Sequence, residues 1–295
     1  MSRRLNLAID TKSSQITTAC LLEAAARKPG NVHPQAQFDD LTFSNFETAA
    51  QITGQILGDE QRSLSVAAQI LSVVRKTREQ VQSNVNLGIL LLLAPMAAVE
   101  NHLSLEEGIH DVLAALDPRE ASIVYQAIRE SQPGGMGTSQ QQDVTSEPTQ
   151  PLVACMQFAA AKDTIARQYT TDFSLILGQG RELFCQWWER TLDWEVSVIG
   201  TQLELMHRVP DTLIIRKCGR ETGEISALKA AEVLEKGWPD TQQGKIALSE
   251  FDQWLRADGH RRNPGTTADL IAAILYGAIR DGHWGPPSQI MISET

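Results

Sequence analysis

The chain holds 295 residues, with 26 Lys and Arg against 36 Asp and Glu, a formal net charge of −10. Apolar residues at 42% and charged residues at 21% are near globular averages, which excludes wholesale disorder. The acidic balance lacks the basic face that a nucleic-acid or anionic-membrane binder needs, and few aromatics beside abundant Ala, Leu, Gln and Glu point to helices.

From the N-terminus, Met1–Asn6 has no apolar stretch of the signal-peptide kind, and Cys20, Cys155, Cys185 and Cys218 form no CxxC pair. Both features lead us to expect a cytoplasmic protein with free thiols. Apolar spacing predicts a helix over 13–26, stopped by Lys28-Pro29-Gly30, then a polar loop and a second helix from Phe43 to Leu57. A third helix is expected over 64–81. The apolar run Leu87–Val99 follows, too short to span a bilayer, with a kink expected at Pro95. Ser104–Glu107 has the pattern of a capping box, and Asp117-Pro118 supplies an N-cap with proline at the first helical position. Residues 131–151 read as a long loop. Continuous helices are expected over 152–170 and 181–209, the latter with Trp187, Trp188 and Trp194 as core packing. Pro210-Asp211 opens a short element ended by Gly219, a helix over 225–236 stops at Gly237, and two more cover about 246–255 and 268–280. With no strand-turn-strand signal, the expectation is an all-α, single-domain multi-helix bundle over 1–295.

Four segments place small and polar residues where a plain bundle does not need them. In Arg27–Pro34, continued by Phe38–Leu41, Gly30 permits close backbone approach, Lys28 suits a phosphate, and Asp40 suits a metal or a proton. The same residues also read as a proline stop, a glycine cap and a turn whose aspartate caps the next helix. Gln82–Gly88 places amides, Asn84 and Asn86 among them, at the start of an apolar helix, where anions bind readily; ordinary capping is the alternative. Asp163-Thr164 suits hydrated magnesium or a ribose hydroxyl, while Asp163 and Arg167 also fit a surface i, i+4 ion pair. Asn263–Leu270 combines a Pro-Gly turn with Thr266–Asp269, which has the form of a capping box. The histidines show no HxxxH or HExxH spacing, which argues against zinc, and no Walker lysine loop, GxGxxG or GxSxG occurs.

Taken in order, these segments resemble the triphosphoribosyl-dephospho-CoA synthase family. Lys28-Pro29-Gly30-Asn31-Val32 with Asp40 and Phe46 is similar to its Lys-Pro-Gly-x-Val block. Asn84-Val85-Asn86-Leu87-Gly88 stands in the place of Asn-Thr-His-Lys-Gly. Asp163-Thr164 matches an Asp-Thr pair, and Asn263–Ile271 is similar to Ser-Pro-Gly-Gly-Ser-Ala-Asp-Leu-Leu. The resemblance implies an all-α transferase that moves the ribosyl-triphosphate of ATP onto 3′-dephospho-CoA with release of adenine. It implies Mg²⁺ held by Asp40, Asp163 and Asp269, which would also do the catalytic work, with Glu23 as a further carboxylate. Lys28, Gly30, Asn31, Asn84, Asn86, Thr164, Gly265 and Thr266 would contact nucleotide and coenzyme-A-like substrates, with no nucleic-acid or membrane partner. Val85, Asn86 and Leu87 replace Thr, His and Lys, which removes a cation and a proton donor. That departure keeps two alternatives open: a related transferase acting on another coenzyme precursor, or a non-catalytic helical protein that binds nucleotide or a partner.

Overall fold

A computed structural model describes residues 2–61, 63–81, 85–132 and 144–293. Asn84 and most of the expected loop over 131–151 lie outside the described residues. The helices in chain order are α1 (Lys12–Ala25), α2 (Phe43–Leu57), α3 (Val66–Val81), α4 (Leu87–Ala97), α5 (Leu105–Ala114), α6 (Pro118–Ser131) and α7 (Leu152–Ala159). They continue as α8 (Thr164–Tyr169), α9 (Arg181–Thr191), α10 (Trp194–Arg208), α11 (Thr212–Cys218), α12 (Arg220–Glu235), α13 (Gln242–Arg256) and α14 (Gly265–Arg280). A π-helical turn, Leu175–Gly180, leads into α9.

The mostly α expectation holds, with a small addition. Strands β1 (Ser2–Asn6) and β3 (Gln289–Ser293) pair antiparallel, Ser2 opposite Ser293 and Asn6 opposite Gln289, so the two ends of the chain close on one another; a short β2 covers Ala257–His260. Ile290 and Ile292 alternate inward along β3 with the period of two that a half-buried strand requires, a signal too short to stand out in the sequence. Two long helices expected from periodicity are each broken. Leu192 takes a left-handed conformation and Asp193 caps α10 through the N–H groups of Glu195 and Val196. Likewise Asp163 caps α8, which splits the stretch 152–170. α4 runs through Pro95 and stops at Ala97.

Two apolar cores meet along α10. The larger surrounds α4 and α14, which are apolar on nearly every face and therefore have neighbours on every side. The smaller gathers Trp187, Leu203, Ile214, Val233, Trp238 and Phe251 beneath α11–α13. Within α10, Val198 and Leu205 serve the first core, and Ile199, Leu203 and Met206 the second.

One buried carboxylate fastens the two cores. Asp211, 2% exposed, caps α11 through the N–H groups of Leu213 and Ile214 at 2.9 and 3.0 Å. Its other oxygen accepts from Thr267 N at 2.7 Å and Thr267 Oγ1 at 2.8 Å, on the first turn of α14. Replacing Asp211 by Ala leaves four donors without an acceptor. We expect a loss of about 2–4 kcal/mol in urea-unfolding stability, and a smaller loss for Asp211→Asn, which keeps one acceptor oxygen.

Candidate functional site

The described parts of all four sequence segments, Asp40 excepted, come together at the seam between the cores. Gly30 sits at φ +78°, and a Cβ there would lie 2.8 Å from Leu255 Cδ1 and Pro264 Cδ. Glycine is therefore required twice over, and what approaches its backbone is the fourth segment and α13. Gly30 N donates to Asp252 Oδ1 at 2.7 Å; Arg256 holds that carboxylate at 2.8 Å and donates to Asn31 O at 2.6 Å. Asn31 Nδ2 donates to Asn263 Oδ1 at 2.7 Å, and Gln202 Nε2 donates to Asn31 Oδ1 at 2.9 Å and Pro29 O at 3.1 Å. Asn31 thus works as the joint between the first and last segments.

The last segment is no capping box. α14 begins at Gly265 with Pro264 before it and has no side-chain cap, so Thr266 and Asp269 lie inside the helix. Gly265 packs against Leu213 of α11, where a Cβ would come within 2.6 Å of Leu213 Cδ2. Thr266 Oγ1 accepts from Thr212 Oγ1 at 3.2 Å, and Thr212 Oγ1 accepts from Thr164 N at 3.3 Å, so these threonines link α8, α11 and α14. Thr164 Oγ1 is buried with no partner among the described residues. Asp163 pairs with Arg216 Nη1 at 3.0 Å, across 53 residues of sequence, instead of with Arg167.

Asn86 is buried and donates to Thr53 Oγ1 at 3.1 Å; it anchors α2 to the start of α4 and leaves α4 without a side-chain cap. Two residues on, Gly88 makes room for Asp269, since a Cβ at Gly88 would sit 1.9 Å from Asp269 Oδ2. Helical side chains lean toward their N-terminus, so Asp269 points back to where α4, α8, α11 and α14 begin.

Charge at this place is mostly negative. Burial, then Glu23, Asp211 and Asp163, raise the Asp269 carboxyl well above its ordinary value, and Arg216 opposes them. Partly exposed, Asp269 has no hydrogen-bond or ion-pair partner among the described residues. Glu23, 3% exposed, is balanced by Lys28 at 3.0 Å. Lys28 is itself fully enclosed and also donates to the backbone oxygen of Glu23, so its ammonium meets a carboxylate where the sequence pointed to a phosphate. His33, buried and near Arg256 and Lys28, is held down to about 4 and stays neutral. Asp40 lies apart from the carboxylates: it is exposed, 3.6 Å from His260, and Thr42 rather than an aspartate stands at the start of α2.

Sequence reasoning missed Asp211, Asp252, Gln202, Arg216 and Arg256. Only Asp211 carried a local signal, its place after Pro210 at a helix start. The others act on residues far away in the chain.

Magnesium prefers hard oxygen donors, and Asp269 offers a carboxylate with no partner among the described residues, with Glu23 and Asp163 among the charges acting on it. Among the described residues no group of three or more His, Cys, Asp or Glu is placed to hold an ion alone. Mg²⁺ ordinarily takes one or two carboxylates, water and substrate phosphates, so the donors fit an ion that arrives with a polyphosphate.

The raised carboxyl makes a testable statement about stability. Between its ordinary and its raised value the folded chain binds more protons than the unfolded one, so the stability contributed by Asp269 falls as pH rises through that window. We expect Asp269→Asn to melt at nearly the wild-type temperature below pH 4 and several degrees higher at neutral pH, the gap opening across the window; a constant gap in a series of thermal melts contradicts this.

Comparison with known proteins bears directly on these segments. Among curated protein sequences no significant match was found. A crystal structure from Archaeoglobus fulgidus, described as a triphosphoribosyl-dephospho-CoA synthase, superposes with a TM-score of 0.61 at 23% identity and covers 81% of this chain and 98% of its own. That likeness shows the fold. The family model of CitG, ATP:dephospho-CoA triphosphoribosyl transferase, matches residues 10–287, a span that contains all four segments. The chain belongs to this family and is a transferase that moves the triphosphoribosyl group of ATP onto dephospho-CoA.

Proposed function

We propose that the reaction takes place where α4, α8 and α14 begin, with Asp269 as the catalytic carboxylate. The observation that carries this reading is that Asp269 alone, among the carboxylates gathered here, lacks a partner while remaining partly exposed. The transfer breaks the C1′–N9 bond of ATP and forms a bond from C1′ to a ribose hydroxyl of dephospho-CoA. The bonding pair leaves with adenine, and the hydroxyl proton passes to Asp269 and leaves the site on adenine.

Asp269 has two tasks in that step. As a carboxylate it faces the positive charge that grows on the ribose as adenine departs, and a charge already fixed in place needs no reorganisation. As a base it benefits from its raised proton affinity, because a carboxylate of ordinary affinity draws little proton at neutral pH. Gly88 leaves the space that the Asp269 carboxylate occupies. The start of α4 carries no side-chain cap and suits anionic phosphate oxygens. Asp163 orients Arg216 toward the same place.

Magnesium, when bound, neutralises charge on the triphosphate; Asp269 would hold it, with Asp163 beside it. Thr164 and Thr266 line the approach. Lys28, Gly30 and Asn31 position the site from behind: Lys28 offsets Glu23, and the other two fix the fourth segment. Asp40 has no part in this reading. Four free cysteines and the acidic surface support a reducing, cytoplasmic setting without nucleic acid.

Incubation with ATP, Mg²⁺ and dephospho-CoA should release adenine and give a coenzyme product heavier by the ribosyl-triphosphate, read by mass spectrometry. Asp269→Asn should lower turnover by about 10²–10⁴, and should also weaken ATP binding in the presence of Mg²⁺, because it removes the charged oxygen that would hold the ion. A variant with wild-type turnover removes Asp269 from the chemistry.

A further inference from the structure

Most cations around the site are already committed. Lys28 is spent on Glu23, Arg256 on Asp252 and the Asn31 carbonyl, and Arg27 on Glu195. Arg262 donates to the Trp254 carbonyl and lies over the Trp254 ring. In addition, the central segment carries Leu87 where a lysine would have offered a charge. A polyanionic substrate still needs cationic contacts from the protein, since one divalent ion cannot neutralise a triphosphate.

Lys217 is uncommitted and, unlike the exposed Lys162, half-buried. Its ammonium has no hydrogen-bond or ion-pair partner among the described residues, yet the side chain is only partly exposed. Burial, and then neighbouring Arg216, lower its proton affinity, while Cys218, Asp211 and Asp40 act against this. A cation on the last turn of a helix is favoured by the helix dipole, which accounts for a basic residue at that position. The dipole does not account for a lysine that gives up water without gaining a partner.

The placement follows from helix spacing. Positions 212 and 216 share one face of α11, and 213 and 217 the adjoining one. Thr212 touches Thr164 and Thr266, and Arg216 reaches Asp163, so the first face looks onto α8 and α14. Leu213 packs against Gly265, so Lys217, one turn on, continues the face turned to the start of α14. The Lys217 carbonyl is held by Arg261 Nη2 at 3.0 Å, which fixes the turn that carries the side chain. Arg216 uses Nη1 on Asp163 and keeps its remaining N–H groups free among the described residues.

We propose that Lys217, assisted by the free N–H groups of Arg216, binds the triphosphate of ATP. This rests on the reading of Asp269 as the place of transfer and adds to it the wall along which the phosphates lie. Arg216 then links two functions, since the same guanidinium holds Asp163 and faces the anion.

The test compares ATP with AMP, which differ only in the phosphates that Lys217 would meet. Calorimetric titration of wild-type protein with Mg²⁺ should show tighter binding of ATP. Lys217→Met keeps the apolar stem and should weaken ATP about tenfold or more while leaving AMP within about twofold, and Lys217→Arg should restore most of the difference. A Lys217→Met protein that keeps the wild-type preference for ATP, or that loses ATP and AMP equally, overturns the assignment while the transfer site stands. Wild-type protein that binds neither nucleotide overturns both readings.

Discussion

Negative charge collected at the ends of helices is the constraint on which the molecule depends. α4, α8, α11 and α14 all begin at one place, and each N-terminus brings the partial positive charge of its unpaired N–H groups. Asp163 and Asp211 answer that charge at the two short helices, and each also bonds a distant element, Arg216 in one case and Thr267 in the other. Their lone pairs are thereby used. Asp269 stands among these satisfied carboxylates with none of its own valences met, and the same fold that stabilises its neighbours raises its proton affinity.

Much of this was legible in sequence, because helices announce themselves locally. The caps at Ser104 and Asp117, the glycine after α12 and the apolar character of α4 are short-range features, and the structure reproduces them. The order of the four segments was equally visible. What the sequence concealed were bonds between residues far apart. Asp163 next to Arg167 reads as a local ion pair, and only the arrival of α11 shows that its partner is Arg216. Thr266 and Asp269 have the spacing of a capping box, but Asp211 supplies an acceptor to Thr267 from outside, so α14 starts earlier and Asp269 is carried inside. Asp252 reaches Gly30 across 222 residues, and no local pattern points to such a pair. Strand pairing of the two ends escaped for the same reason.

The departures in the central segment gain a physical meaning from this arrangement. Leu87 belongs to a helix whose every face is apolar, and its side chain is 8% exposed. A lysine at that position would bury an ammonium against the larger core unless its end reached the site. Asn86 keeps a hydrogen bond, but directs it to Thr53 and so to the packing of α2. The segment therefore contributes backbone and space, through Gly88, and contributes no charge.

Loss of charge there places the burden of electrostatic balance on Lys28. Glu23 is, after burial, the largest influence that raises the proton affinity of Asp269, so a countercharge on Glu23 bears on both carboxylates. Lys28 lies on Glu23 and not on Asp269. It thereby fixes which of the two carboxylates is satisfied: Glu23 is held in a closed ion pair, and Asp269 is left without a partner among the described residues. Had the lysine projected into the open site, it would have served a phosphate at the expense of this division. The Lys-Pro-Gly turn prevents that by returning the Lys28 ammonium to Glu23 of α1, and the distinction between a paired carboxylate and an unpartnered one follows from that turn.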